Sequence, residues 1–266
     1  MGTMFSALLK EASIECESID IDTSRKDRDA MILRVSTILI SVPINTTLSV
    51  IEEIRPNLRP GMLLADLTSI KEKPLQAMLP YDGEVLALHP MFGQTPGGIE
   101  GQTIVNCGGR IGPRATALLE FLQQKGAKIH PLTAKRHDEL MAIVQGLNHF
   151  HVIACAHALG ELGVSVEETI EVASPVYLLR MQLIGRILAQ DPGLYADILL
   201  QNPSVPRALE AFIASCSEFQ EAIVKGSREE CIAFFNRAAS VFKDYREVAL
   251  RESDELLSKA ILSKAR

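Results

Sequence analysis

The order of apolar and polar positions changes character once along the chain. Up to residue 132, short apolar runs alternate with amphipathic stretches. Residues 37–42 (TILISV) form a continuous, largely β-branched run, the pattern of a parallel strand buried on both faces. Residues 62–67, 85–88, 103–107 and 127–132 repeat that signal, and Ile19-Asp20-Ile21-Asp22 alternates like a strand ending in an acid. Helical stretches separate them: a short start at 5–9, a helix capped by Asn45 or Thr46 and running to Ile54, then 71–79 and 113–125. Pro60-Gly61 makes a turn, and residues 93–101, with four glycines and a proline, make a loop. This alternation predicts a doubly wound α/β sheet over residues 1–132.

From residue 133 only helical periods remain. Residues 134–162 predict one long helix, with at most a bend. Ser174-Pro175 is a cap followed by proline at the first helical position. The helix that follows, to Gln190, is apolar nearly all round, which predicts burial on most sides. Asp191-Pro192-Gly193 breaks it, another helix follows Pro206, and Ser227-Arg228-Glu229-Glu230 reads as a capping box. The boundary therefore falls between 132 and 133, ahead of an all-α half, 133–266. So much helical apolar surface implies a second copy covering part of it, a homodimer.

Composition narrows the class. At 47% apolar and 23% charged residues the chain reads as a soluble globular protein. A net charge of -6 and a pI near 5.6 argue against nucleic acid or anionic lipid as partners. No apolar run is long enough for a bilayer, and the start has no basic region leading into an apolar one. Five scattered cysteines without a CxxC read as reduced thiols, so a cytoplasmic location is expected, without a zinc site.

Candidate chemistry gathers at strand ends. Val85-Leu86-Ala87-Leu88 runs into His89, and Pro90, which has no N–H to give, should stop the strand there. His89 thus sits at the carboxyl edge of the sheet, where open α/β folds bind ligands. It is either a structural strand-end histidine or a base. The same edge offers Asp22, Ser41-Val42-Pro43, and Ser69 with Lys71. Asp22, with Asp20 as its neighbour, suits the ribose of a dinucleotide or simply a turn. Ser69 and Lys71 either orient a ligand or serve as a helix cap and a solvated lysine. Arg186 lies within the apolar helix beside Gly185, and reads as a carboxylate clamp or as half of an internal ion pair. His149 and His151, two apart, are not a metal pair; His149 suits a cleft. His130, His137 and His157 read as surface or packing residues.

Several segments together resemble the prephenate dehydrogenase family, in particular the dehydrogenase half of the bacterial fusion with chorismate mutase. They are Ser41-Val42-Pro43-Ile44, Asp66-Leu67-Thr68-Ser69-Ile70-Lys71, Leu88-His89-Pro90-Met91-Phe92-Gly93, Ser174-Pro175-Val176-Tyr177 leading to Gly185-Arg186, and Ala189-Gln190-Asp191-Pro192 with Leu194-Tyr195-Ala196-Asp197-Ile198. The resemblance implies a Rossmann-like NAD-binding domain followed by a helical dimerisation domain, with the active site between them. It implies oxidative decarboxylation of prephenate by NAD to 4-hydroxyphenylpyruvate, on the route to tyrosine. It gives His89 the role of base on the ring hydroxyl, Ser69 that of steadying the hydroxyl and the histidine, and Arg186 and His149 that of holding the substrate. Gly2, Asp22, Ser41, Pro43 and Lys71 fall to the cofactor. The first strand and the first two glycines of the family's phosphate turn are missing ahead of Gly2. Either they lie upstream of Met1 or this chain binds NAD weakly. Arogenate or 4-amino-4-deoxyprephenate are alternative substrates, and an inactive dimerisation or binding module is the alternative outside enzymes.

Overall fold

A computed structural model of the protein describes residues 1–93 and 98–264, with side chains described to residue 258. The centre of the loop expected at 93–101 lies outside the described residues. Two compact units emerge: Met1–Val144 with Ala196–Ser204, and Gln145–Tyr195 with Val205–Arg266.

The first unit is built on a five-stranded sheet. In chain order its elements are α1 (Gly2–Glu11), α2 (Arg25–Ile32), β1 (Thr37–Ile40), α3 (Thr47–Ile54), β2 (Leu63–Asp66), α4 (Glu72–Met78), β3 (Glu84–Pro90), β4 (Thr103–Arg110), α5 (Pro113–Gln124), β5 (Lys128–Pro131) and α6 (Ala134–Met141). The strands lie in the order β1-β2-β3-β4-β5. Pairing is parallel except between β3 and β4, which run antiparallel. Strand β3 is buried along its whole length, as its unbroken apolar run requires. It continues through Pro90, which pairs with Ile104, so the proline ends the strand from inside it.

Alternation along the strands builds a core on each face. Leu63, Ala65, Leu86, Leu88 and Ile104 pack with Phe5 of α1 and with Ala115 and Leu122 of α5. Met62, Leu64, Val85, Ala87 and Val105 pack with Ile32 of α2, Ile51 and Ile54 of α3, and Met78 of α4. Two helices are capped by acids from distant elements. Glu84 of β3 accepts the backbone N–H of Arg114 and Ala115 at the start of α5, at 3.2 and 2.7 Å. Asp138 of α6 does the same for Lys71 and Glu72 at the start of α4, at 2.8 and 3.0 Å. A negative charge there offsets the orphan donors and the helix dipole.

One expected strand is absent. Residues 19–22 form no strand; Thr23 N–H donates to the Asp20 carbonyl at 2.9 Å in an exposed turn. A strand needs a ladder partner, and residues 19–22 pair with none of the five strands.

The second unit holds α7 (Asn148–Glu161), α8 (Val166–Glu171), α9 (Pro175–Leu188), the start of α10 (Pro192–Gln201), α11 (Val205–Val224), α12 (Arg228–Phe242) and α13 (Tyr245–Lys264). A π-helical stretch, Ala142–Leu147, joins α6 to α7, so the expected long helix forms with an irregular turn in it. Ser174 caps α9 by accepting the Tyr177 N–H. Ser227 caps α12 through the Glu230 N–H, and the reciprocal capping box is found instead at Ser165 and Glu168 of α8. The order of the sequence puts the change at 132/133, but packing keeps α6 with the sheet, because its Asp138 is bonded into α4. Helix α9 departs from the expected burial: within one chain only Ile184 is buried, and Val176, Leu183 and Leu188 are exposed.

Gly109 sits at φ +140°, and a Cβ there would lie 2.2 Å from the Val85 carbonyl oxygen. Gly109→Ala is expected to cost at least the ~1–3 kcal/mol of a glycine-only conformation, read as a lowered urea midpoint of the sheet unit.

Candidate active site

The parallel register aligns Ile40 with Asp66, and Asp66 with Ala87. The residues just beyond, Ser41-Val42-Pro43 and Ser69, therefore leave the sheet at one edge, beside His89 near the end of β3. His89 continues the face of Val85 and Ala87, the side covered by α3 and α4.

His89 is 2% exposed. Its Nδ1 lies 2.7 Å from Nε2 of His137 on α6. His137, fully buried, places its own Nδ1 2.7 Å from Oδ1 of Asp138. The Asp138 carboxylate is the acceptor that caps α4, and its backbone carbonyl accepts from the Asn202 side chain at 2.8 Å. Burial, then the neighbouring His137 and Lys71, hold the His89 pKa well below its usual value. His89 is therefore neutral near pH 7.

Beneath His89 lies a buried ion pair. Lys71 Nζ donates to Asp66 Oδ2 and to the Leu88 carbonyl, the latter at 2.7 Å, and both side chains are fully buried. Asp66 also accepts the Thr68 N–H at 3.0 Å. This corrects the expectation that Lys71 meets the cofactor or solvent. Its ammonium is committed within the protein, and it fixes the carbonyl next to His89. Ser69 stands half-buried in the turn after β2.

At the same sheet edge Gly2 opens α1, and a Cβ on it would meet the Ser41 Cβ at 3.3 Å. Ser41 is half-buried and Pro43 exposed. This close approach to a helix N-terminus fits the phosphate end of a nucleotide. Asp22 does not join it: it is exposed, and the strand that should carry it does not form.

In the second unit, Arg186 is exposed and, among the described residues, has no ion pair, so it is not half of an internal pair. Burial raises the Tyr195 pKa, and the charge of Arg186 opposes that rise. Tyr195 stands edge-on to His149, with ring centroids 4.7 Å apart. The His149 Nδ1 is buried without a partner, and burial lowers its pKa. Arg186, Tyr195 and His149 are thus brought to one neighbourhood. His151 instead accepts from Arg180 at 2.8 Å. His130 and His157 are exposed, and all five cysteines are free thiols. Among the described residues no cluster could hold a metal.

His137, Asp138 and Tyr195 are the site residues that sequence reasoning missed. A signal existed for the first: His137 and Met141, four apart, share the buried face of α6.

Comparison with known proteins settles the family. Residues 9–104 match the model of the prephenate dehydrogenase nucleotide-binding domain, and residues 133–237 match that of its dimerisation domain. The T-protein of Haemophilus influenzae is 35% identical over 264 residues, covering 98% of this chain and 69% of that protein. The chain belongs to the prephenate dehydrogenase family. Membership makes it an NAD-dependent oxidoreductase with a Rossmann-like domain and a helical dimerisation domain. The probable arogenate/prephenate dehydrogenase of Methanocaldococcus jannaschii is 36% identical over 239 residues, 88% of this chain and 52% of that protein. Among solved structures, Aquifex aeolicus prephenate dehydrogenase in complex with hydroxyphenyl propionate and NAD+ shares the fold. It has a TM-score of 0.69 at 18% identity, covering 88% of this chain and 82% of that one.

Replacing Lys71 by Met is expected to destabilise the sheet unit by about 3–5 kcal/mol, the cost of stranding the buried Asp66 charge. A double change to apolar residues at 66 and 71 should recover much of the loss in the same denaturation experiment.

Proposed function

We propose that the protein oxidatively decarboxylates prephenate to 4-hydroxyphenylpyruvate. The observation that carries this reading is His89, a neutral, buried histidine on the family's His-Pro-Met-Phe-Gly segment at the sheet's ligand edge. His89 takes the proton of the ring hydroxyl, and Ser69 steadies that hydroxyl. Arg186 holds a substrate carboxylate, an exposed guanidinium suited to bidentate pairing. His149 and Tyr195 line the substrate beside it. NAD, when bound, accepts the hydride. Gly2, Ser41 and Pro43 hold the cofactor at the start of α1, while Asp22 would need to be drawn in from its exposed turn.

The functional unit is a homodimer through the helical domain, supported by the dimerisation-domain match and the bare apolar side chains of α9. Five free thiols suit the cytoplasm. Among the described residues no helix is long and apolar enough to cross a membrane. A 28% identical relative is named 4-amino-4-deoxyprephenate dehydrogenase, so kcat/KM is to be compared for prephenate, arogenate and that amine. Prephenate should be preferred, and a preference for either other compound overturns the substrate assignment.

His89→Asn should lower kcat about 10²–10⁴-fold with little change in prephenate KM. The neutral base is the active form and its pKa is depressed, so activity holds below the ordinary histidine value of about 6.5. It is lost only as pH falls through that lower value. A kcat profile with its acid limb at or above 6.5 contradicts the assignment.

A further inference from the structure

The buried contacts of His89 reach beyond a lone base. Asp138 is an acceptor toward two backbone N–H groups, so the proton in the 2.7 Å contact belongs to His137 Nδ1. The relay inferred below takes that ring as neutral, with a lone pair on His137 Nε2. The proton in the next 2.7 Å contact then belongs to His89 Nδ1. The lone pair of His89 is thereby placed on Nε2. Reversing any one step would put a proton on Nε2 and make His89 an acid.

We propose that His137 and Asp138 are positioning residues, forming a relay that fixes the base-competent tautomer of His89 and takes up the charge it acquires. The inference rests on the reading of His89 as the base for prephenate. As the substrate hydroxyl gives its proton to His89 Nε2, the Nδ1 proton of His89 passes to His137 Nε2. One proton enters His89 and one leaves it. The positive charge comes to rest on His137, against the Asp138 carboxylate, inside a region that penalises an unpaired cation. The Lys71 ammonium, bonded to the Leu88 carbonyl, makes a second cation nearby and so disfavours charge remaining on His89 itself. Asn202 and the start of α4 hold Asp138 from two directions, so its orientation does not depend on the substrate.

The tautomer can be read without turnover. In the ¹⁵N-histidine-labelled full chain, long-range ¹H–¹⁵N correlation should show His89 protonated at Nδ1. Asp138→Asn should mix or reverse that pattern. In kinetics with prephenate and saturating NAD, His137→Leu should lower kcat about 10–100-fold, within the range of general-base effects. KM should change less than about threefold. His137→Gln, whose amide oxygen can accept from His89 Nδ1, should recover part of the loss. Nδ1 protonation of wild-type His89 with partial rescue by glutamine supports the relay. An Nε2-protonated His89 in the wild type overturns it, as does full kcat in His137→Leu. If His137→Leu does not fold, the wild-type spectrum and the glutamine variant decide. If the wild type leaves prephenate unchanged, the proposed reaction fails while the spectrum still judges the tautomer.

Discussion

One buried carboxylate holds the candidate site together. Asp138 accepts the first N–H groups of α4 and the ring of His137, so a helix start and a histidine share one anion. An acid buried this deeply is tolerable only because each contact is a donor. Through α4 it fixes the segment that carries Lys71, and Lys71 in turn grips the carbonyl preceding His89. Through His137 it reaches the imidazole of His89 directly. The histidine at the sheet edge is thus approached from backbone and side chain by groups traced to one residue on α6.

That convergence could not be seen in the chain as letters. Local patterns gave the five strands that form, the Pro113 helix and the caps at Ser174 and Ser227, because each depends on residues within a turn of one another. They failed where the deciding partner is distant. Residues 19–22 alternate as a strand should, yet a strand exists only beside another, and these residues pair with none of the five that form. The antiparallel placement of β4 leaves no mark in a run of apolar residues. Lys71 looks solvated in sequence, and only the fold sets its ammonium against Asp66. His137 reads in sequence as a surface or packing residue because its partner His89 lies far away in sequence and on a different element. Glu84 and Asp138 are caps that no local rule would find, since each serves a helix distant from it in sequence.

The helical unit shows the opposite effect. The sequence of α9 is apolar nearly all round, yet a single chain covers little of it. Such composition is a statement about an assembly rather than about one molecule. The same helix carries Arg186, which the second unit leaves exposed, and Tyr195 next to His149 supplies an aromatic wall. A charged group with a ring and an imidazole beside it suits an anionic, partly apolar molecule better than it suits packing.

The outermost strand of the sheet has a consequence for handling the protein. Thr37–Ile40 is β-branched or apolar throughout, lies at the border of the sheet, and contains no lysine or proline to blunt it. Such a border is a template on which another extended chain can grow. Concentrated solutions would then lose material by sheet-to-sheet growth, a route separate from pairing through helices and without a fixed end point. The net charge of -6 opposes it only through repulsion, which salt weakens.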